Sequence, residues 1–142
     1  MSSRVTAEEF ERVVREGLPS GAAMGFEIVT LERGHAVLRI RTRDVDLRPG
    51  NTVAGPVLFT LADLAMYAAI MSAIGLVPLA VTTDATIHFL RRPRAGTLIA
   101  RARLLKEGQR LIVGDVEIAH EDAPSEVVAH AVMTYSVPPK LG

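Results

Sequence analysis

The chain has 142 residues, of which 49% are hydrophobic and only 4% aromatic, and it holds no cysteine. Lys plus Arg number 16 and Asp plus Glu number 16, so the formal net charge is zero. One domain with a sizeable core suits that length, whereas polyanion binding by bulk charge, an aromatic nucleic-acid platform, a disulfide scaffold, a thiolate metal site and a cysteine nucleophile are all excluded.

The charged start, Met1 to Leu18, lacks the apolar run of a signal peptide, and the missing cysteine is compatible with a reducing cytoplasm. A cytoplasmic protein of one domain, 1–142, is expected, with 1–24 forming a helix and a lead-in. Thr6 is the expected N-cap of a short amphipathic helix to Glu16, with Glu9 completing a capping box. Phe10, Val13 and Val14 share its apolar face, and Gly17, Pro19 and Gly21 end it.

Gly25 to Glu32 and His35 to Thr42 read as a β-hairpin turning at Arg33-Gly34. Ala36, Leu38 and Ile40 alternate with Val37, Arg39 and Arg41, so one face is buried and one is wet. Asp44 to Gly55 is a loop rich in Pro, Gly, Asn and Asp. A helix then runs from about Pro56 to Ile74, with Pro tolerated in its first turn. Gly75 stops it and Pro78 prevents its return. Four strands follow: Ala80 to Leu90, Thr97 to Lys106, Leu111 to His120 and Val127 to Val137. Their short turns predict consecutive antiparallel pairing.

Val57 to Ile74 holds one formal charge, Asp63, and by length alone is a membrane candidate. An ionised Asp near the middle of a lone span is expensive, no Lys or Arg cluster flanks it, and the rest of the chain reads as soluble sheet. A helix apolar on every side is otherwise one enclosed by protein. A strongly curved antiparallel sheet supplies that enclosure, so an α+β architecture is expected, with a long central helix wrapped by the sheet.

Asp63 is the residue that invites chemistry. Leu61, Ala62, Leu64 and Ala65 surround it in sequence, and Phe59, Thr60, Met66 and Tyr67 lie one turn away. Asp is a poor interior helix former, and an ionised carboxylate buried without partners costs on the order of several kcal/mol. Its place implies either a structural hydrogen-bond partner or a role in activating water or attacking an acyl carbon. Just before the helix, Gly55 permits close approach to a ligand. The free N–H groups of Gly55, Val57 or Leu58, at the positive dipole end, can polarise a carbonyl oxygen. Ordinary helix capping explains Gly-Pro equally well.

Gly55-x-x-x-x-x-Leu61-Ala62-Asp63, followed by Val81-Thr82-Thr83-x-x-x-x-Phe89-Leu90-x-x-Pro93-x-x-Gly96, resembles the PaaI-like hotdog acyl-CoA thioesterases over about Gly25 to Val137. The resemblance implies a hotdog fold and a homodimer with a continuous sheet, often paired into a homotetramer, with active sites at the dimer interface. It implies that Asp63 is the catalytic carboxylate, that Gly55 N–H polarises the thioester carbonyl, and that Thr82, with Thr83 beside it, helps position water. No metal or bound cofactor is needed. The family usually reads His-Gly-Gly where this chain has Ala54-Gly55-Pro56, and Asn where it has Arg48, with Asn51 nearby. Those departures motivate an alternative, a non-catalytic acyl-CoA-binding hotdog protein.

Val57, Phe59, Met66 and Tyr67 are further candidates for acyl-CoA contact. Arg91, Arg92 and Arg94 around Pro93 suit the phosphates of CoA, or equally a solvated turn. His35, His88, His120 and His130 lack metal-ligand spacing. A hydratase reading is disfavoured because the loop and helix contain no His, and no Gly-x-Ser-x-Gly or phosphate-binding glycine loop occurs. The expected partners are acyl-CoA and further copies of the chain, with neither nucleic acid nor membrane.

Overall fold

The computed structural model describes residues 1–139, so the last three positions of the expected 1–142 span lie outside the described residues. Helix α1 (Ala7–Gly17) begins as expected: Thr6 accepts from Glu9 N–H, and the Glu9 carboxylate accepts from Thr6 N–H. Its Phe10 and Val14 are buried. A single turn, α2 (Pro19–Ala23), leads to β1 (Glu27–Glu32) and β2 (His35–Arg41). The hairpin turns at Gly34, whose φ of 78° is the reason for glycine there. The predicted loop holds a 3₁₀ turn and a two-rung hairpin, β3 (Leu47–Arg48) and β4 (Thr52–Val53).

Helix α3 (Gly55–Ile74) is the core. It is long and apolar enough to cross a membrane, yet 72% of its most apolar window is enclosed by the rest of the chain. Leu61, Ala65, Met66, Ala68, Ala69 and Ile70 are fully buried. The enclosing layer is one six-stranded antiparallel sheet. It contains β1 and β2 together with β5 (Val81–Phe89), β6 (Thr97–Glu107), β7 (Leu111–His120) and β8 (Val127–Ser136). Ala36, Leu38 and Ile40 of β2 point inward as their alternation predicts.

Consecutive pairing fails at one place. The strand order is β1-β2-β6-β7-β8-β5, so β5 pairs with β8 and forms an edge, while β6 pairs with β2. The connection from Phe89 to Thr97 reaches roughly 25 Å when extended, and skipping two strands needs only about 15 Å. Covering both flanks of an all-apolar helix favours that skip. The connection is tied down as it passes β4: Val53 N–H donates to Pro93 O at 2.8 Å, and Ala95 N–H to Asn51 O at 3.2 Å.

Candidate active site

Asp63 sits on the half-buried stripe of α3 that faces the edge of the sheet. Two strands aim hydroxyls at it. Thr82 and Tyr135 are directly opposed in the β5–β8 ladder. Thr82 Oγ1 donates to Asp63 Oδ1 at 2.7 Å, and Tyr135 OH donates to the same oxygen at 2.6 Å. Oδ2 accepts no hydrogen bond among the described residues. Burial, then the neighbouring Asp63 charge, push the Tyr135 phenol above its ordinary range, so it stays a donor. The same two causes raise Tyr67.

A cleft of about 260 Å³ opens over this carboxylate. Val13, Gly17 and Leu18 from the α1 end form one wall, and Tyr67, Pro78, Ala80 and Val81 form the rest. Phe10 anchors α1 edge-on against Tyr67, with ring centroids 5.7 Å apart. Tyr67 OH donates to Pro78 O at 2.7 Å, and its ring stacks on Tyr135 at 6.0 Å. The cleft is therefore apolar-walled, with rigid aromatic side chains holding a single carboxylate at its base.

Gly55 lies elsewhere. It is eight residues before Asp63 on the same helix, about 12 Å along the axis. It opens on a second cleft of about 580 Å³, with Arg48, Phe89, Arg91 and Arg92 around it and no carboxylate in the lining. An added Cβ on Gly55 would meet Phe89 Cζ at 3.5 Å, an ordinary contact. Glycine at this position is explained instead by the following Pro56, which crowds a preceding residue that has a Cβ. Helix α3 has no side-chain cap: Ala54 is the N-cap, and Val57 and Leu58 donate back to Ala54 O at 3.0 and 3.4 Å. Gly55 N–H is thus the donor of the three left without a bond among the described residues.

The expected residues accordingly divide. Asp63, Thr82 and Tyr67 meet in one cleft, and Gly55, Arg48, Arg91 and Arg92 in the other. Asn51, Val57, Phe59 and Thr83 line neither. Asn51 takes a turn conformation with φ of 55°, and the Thr83 hydroxyl donates to Thr134 O at 3.3 Å beside a β-bulge. Met66 is not an acyl contact: it is wholly buried against Gly114 of β7. Arg94 is taken by Asp122 at 2.9 Å, which fits the plain turn reading for that residue. His120 and His130 join polar networks, with Arg94 O and Asp115 respectively. No cluster of His, Cys, Asp or Glu with metal-holding geometry occurs among the described residues.

Tyr135 and the α1 wall are what sequence reasoning missed. Tyr135 was readable only as an inward position of β8, whose neighbours Ala129, Ala131 and Met133 are plain core. Its hydroxyl was the one available signal.

A carboxylate at an apolar-walled cleft, carried by a helix inside a curved sheet, is the arrangement of a hotdog hydrolase. The chain belongs to the thioesterase superfamily, whose sequence model matches residues 50–127. It is a thioester hydrolase of the PaaI-like kind. It is 35% identical over 100 residues to the acyl-coenzyme A thioesterase PaaI of Escherichia coli, covering 70% of this chain and 69% of that protein. The structure of E. coli PaaI superposes with a TM-score of 0.80 at 28% identity, covering 93% of each chain. A candidate thioesterase of Silicibacter sp. TM1040 superposes with a TM-score of 0.85 at 38% identity, covering 98% of this chain and 96% of that one.

Proposed function

We propose that the protein hydrolyses short or medium acyl-CoA thioesters, aliphatic or aromatic, with Asp63 as the base. The observation that carries this reading is a lone carboxylate at the base of an apolar cleft, with one oxygen held by two hydroxyls and the other open. Asp63 takes a proton from water as the water oxygen bonds to the acyl carbon. The carbonyl electrons move onto oxygen and are held by an N–H donor. Their return breaks the C–S bond, and the departing thiolate recovers the proton from Asp63. The acyl-CoA substrate is suggested by the name of the E. coli relative and by the arginine-lined second cleft.

One chain separates its base from its best oxyanion donor by about 12 Å, so we infer that a second copy joins them. Strand β5 is an unpaired sheet edge, and its Val81 and Phe89 are 56% and 53% exposed. A nine-residue edge strand with exposed apolar side chains at both ends invites pairing. Two β5 strands running antiparallel about Ala85 set Thr82 opposite the partner's His88. The partner's Gly55, which touches Phe89 within its own chain, then approaches the Asp63 cleft, and the arginine cleft adjoins it. The homodimer so formed carries two shared sites.

The test is turnover of an acyl-CoA panel followed with a thiol-reactive dye. Asp63→Asn is expected to lower kcat at least tenfold, and by about 10²–10⁴-fold if the full contribution of one proton-transfer catalyst is lost, while the melting temperature holds. Turnover equal to wild type in that variant, or no turnover of any acyl-CoA by the wild type, overturns the proposal. Water labelled with ¹⁸O separates the chemical routes. A general base sends label only to the product acid in a single turnover, whereas label in Asp63 requires a mixed anhydride opened by water at the aspartyl carbon.

A further inference from the structure

The Asp63 carboxylate is asymmetric in a way the reaction does not by itself require. A carboxylate oxygen offers two lone pairs. Both lone pairs of Oδ1 are engaged, by Thr82 at 2.7 Å and Tyr135 at 2.6 Å. Asp63 lines the cleft, and its Oδ2 has no protein donor among the described residues. Thr82 alone leaves the carboxylate free to swing about its terminal torsion, which is broad for Asp. A second donor on the same oxygen removes that freedom.

Tyr135 is built to stay where it is. It is 2% exposed, its ring stacks on Tyr67, and Tyr67 is in turn pinned to Pro78 O and packed under Phe10. The same hydroxyl lies 3.2 Å from the Asp63 carbonyl oxygen, so it registers the helix backbone as well as the side chain. Tyr135 also lies beyond residues 50–127, the portion matched by the superfamily's sequence model.

We propose that Tyr135 is a positioning residue for the thioesterase reaction: with Thr82 it holds Asp63 Oδ1, so that Oδ2 alone receives the proton from water. This rests on the reading of Asp63 as the base. The reacting oxygen keeps a fixed direction toward the cleft. Tyr135 never touches the substrate in this role, so its loss affects kcat rather than KM.

The experiment compares wild type, Tyr135→Phe, Thr82→Val, the double variant and Asp63→Asn in steady-state hydrolysis of the best acyl-CoA from pH 4 to 9. Tyr135→Phe keeps the ring and its stacking. It is expected to lower kcat about tenfold with KM within about twofold, in keeping with the loss of one hydrogen bond to a charged group. A purely structural role would lower the melting temperature and leave kcat of the folded enzyme in place. The double variant is expected to lose more than the product of the two single losses, since either hydroxyl partly holds Oδ1 alone. An inactive Asp63→Asn beside a Tyr135→Phe that matches wild type in kcat overturns this inference and leaves the catalytic reading standing. An active Asp63→Asn overturns that reading first.

Discussion

Replacing Gly114 with alanine tests how closely α3 must approach the sheet. Gly114 lies in β7 directly under Met66, one helical turn beyond Asp63. An added Cβ would stand 2.6 Å from both Met66 Sδ and Cε and 2.7 Å from Arg103 O. The thioether is flexible, but Met66 is fully buried and has nowhere to go. The Arg103 carbonyl is backbone of the adjoining strand β6 and cannot yield without bending the sheet. Overpacking of this kind costs about 1–3 kcal/mol. For a domain of this size that corresponds to a fall in Tm of roughly 3–10 °C, read by calorimetry or circular dichroism. Because the helix is displaced next to Asp63, kcat falls as well. Met66→Ala is expected to destabilise less in the Gly114→Ala background than in wild type, since the two substitutions share one volume. A Gly114→Ala protein that melts within about 1 °C of wild type would refute the close-approach argument, because single overpacked core sites cost more than that.

Other sites give independent checks. Burial raises the Asp115 carboxyl, but its bonds to His130 and Arg103 outweigh that and hold it below the usual carboxylate range. A lowered native pKa stabilises the fold above the unfolded-state value and loses that contribution as pH falls through the native one. Asp115→Asn should therefore melt several degrees lower than wild type at neutral pH, and the gap should close in melts below about pH 4. Thr6→Ala removes one half of the capping box and should cost about 1 kcal/mol. Hydrogen exchange should show the loss concentrated in α1. Arg91→Ala with Arg92→Ala should raise KM for acyl-CoA about tenfold at low salt with kcat nearly unchanged, and the difference should shrink as ionic strength rises.

Much of this was legible along the chain because the signals were local. The Thr6–Glu9 box, the turn at Gly34 and the stop at Gly75 each involve residues within a few positions of one another. Asp63 stood out because nothing else charged interrupts its helix. What escaped depends on distance in sequence. The β5–β8 pairing joins residues about fifty apart, and turn length alone cannot choose it over the adjacent β6. Tyr135 meets Asp63 only through that pairing, so missing the one meant missing the other. Gly55 and Asp63 were grouped by motif, whereas helical rise holds them apart within one chain.

The enclosure of α3 also bears on how the protein is made. During synthesis its twenty residues are polymerised before β5, β6, β7 and β8, the strands that cover them. Until Tyr135 has been added and the sheet can close, the nascent chain presents a segment that resembles a membrane span. Variants that slow closure should therefore fail first by aggregating in cells, ahead of any measurable loss of equilibrium stability. Yield of soluble protein with and without co-expressed chaperones is the direct readout.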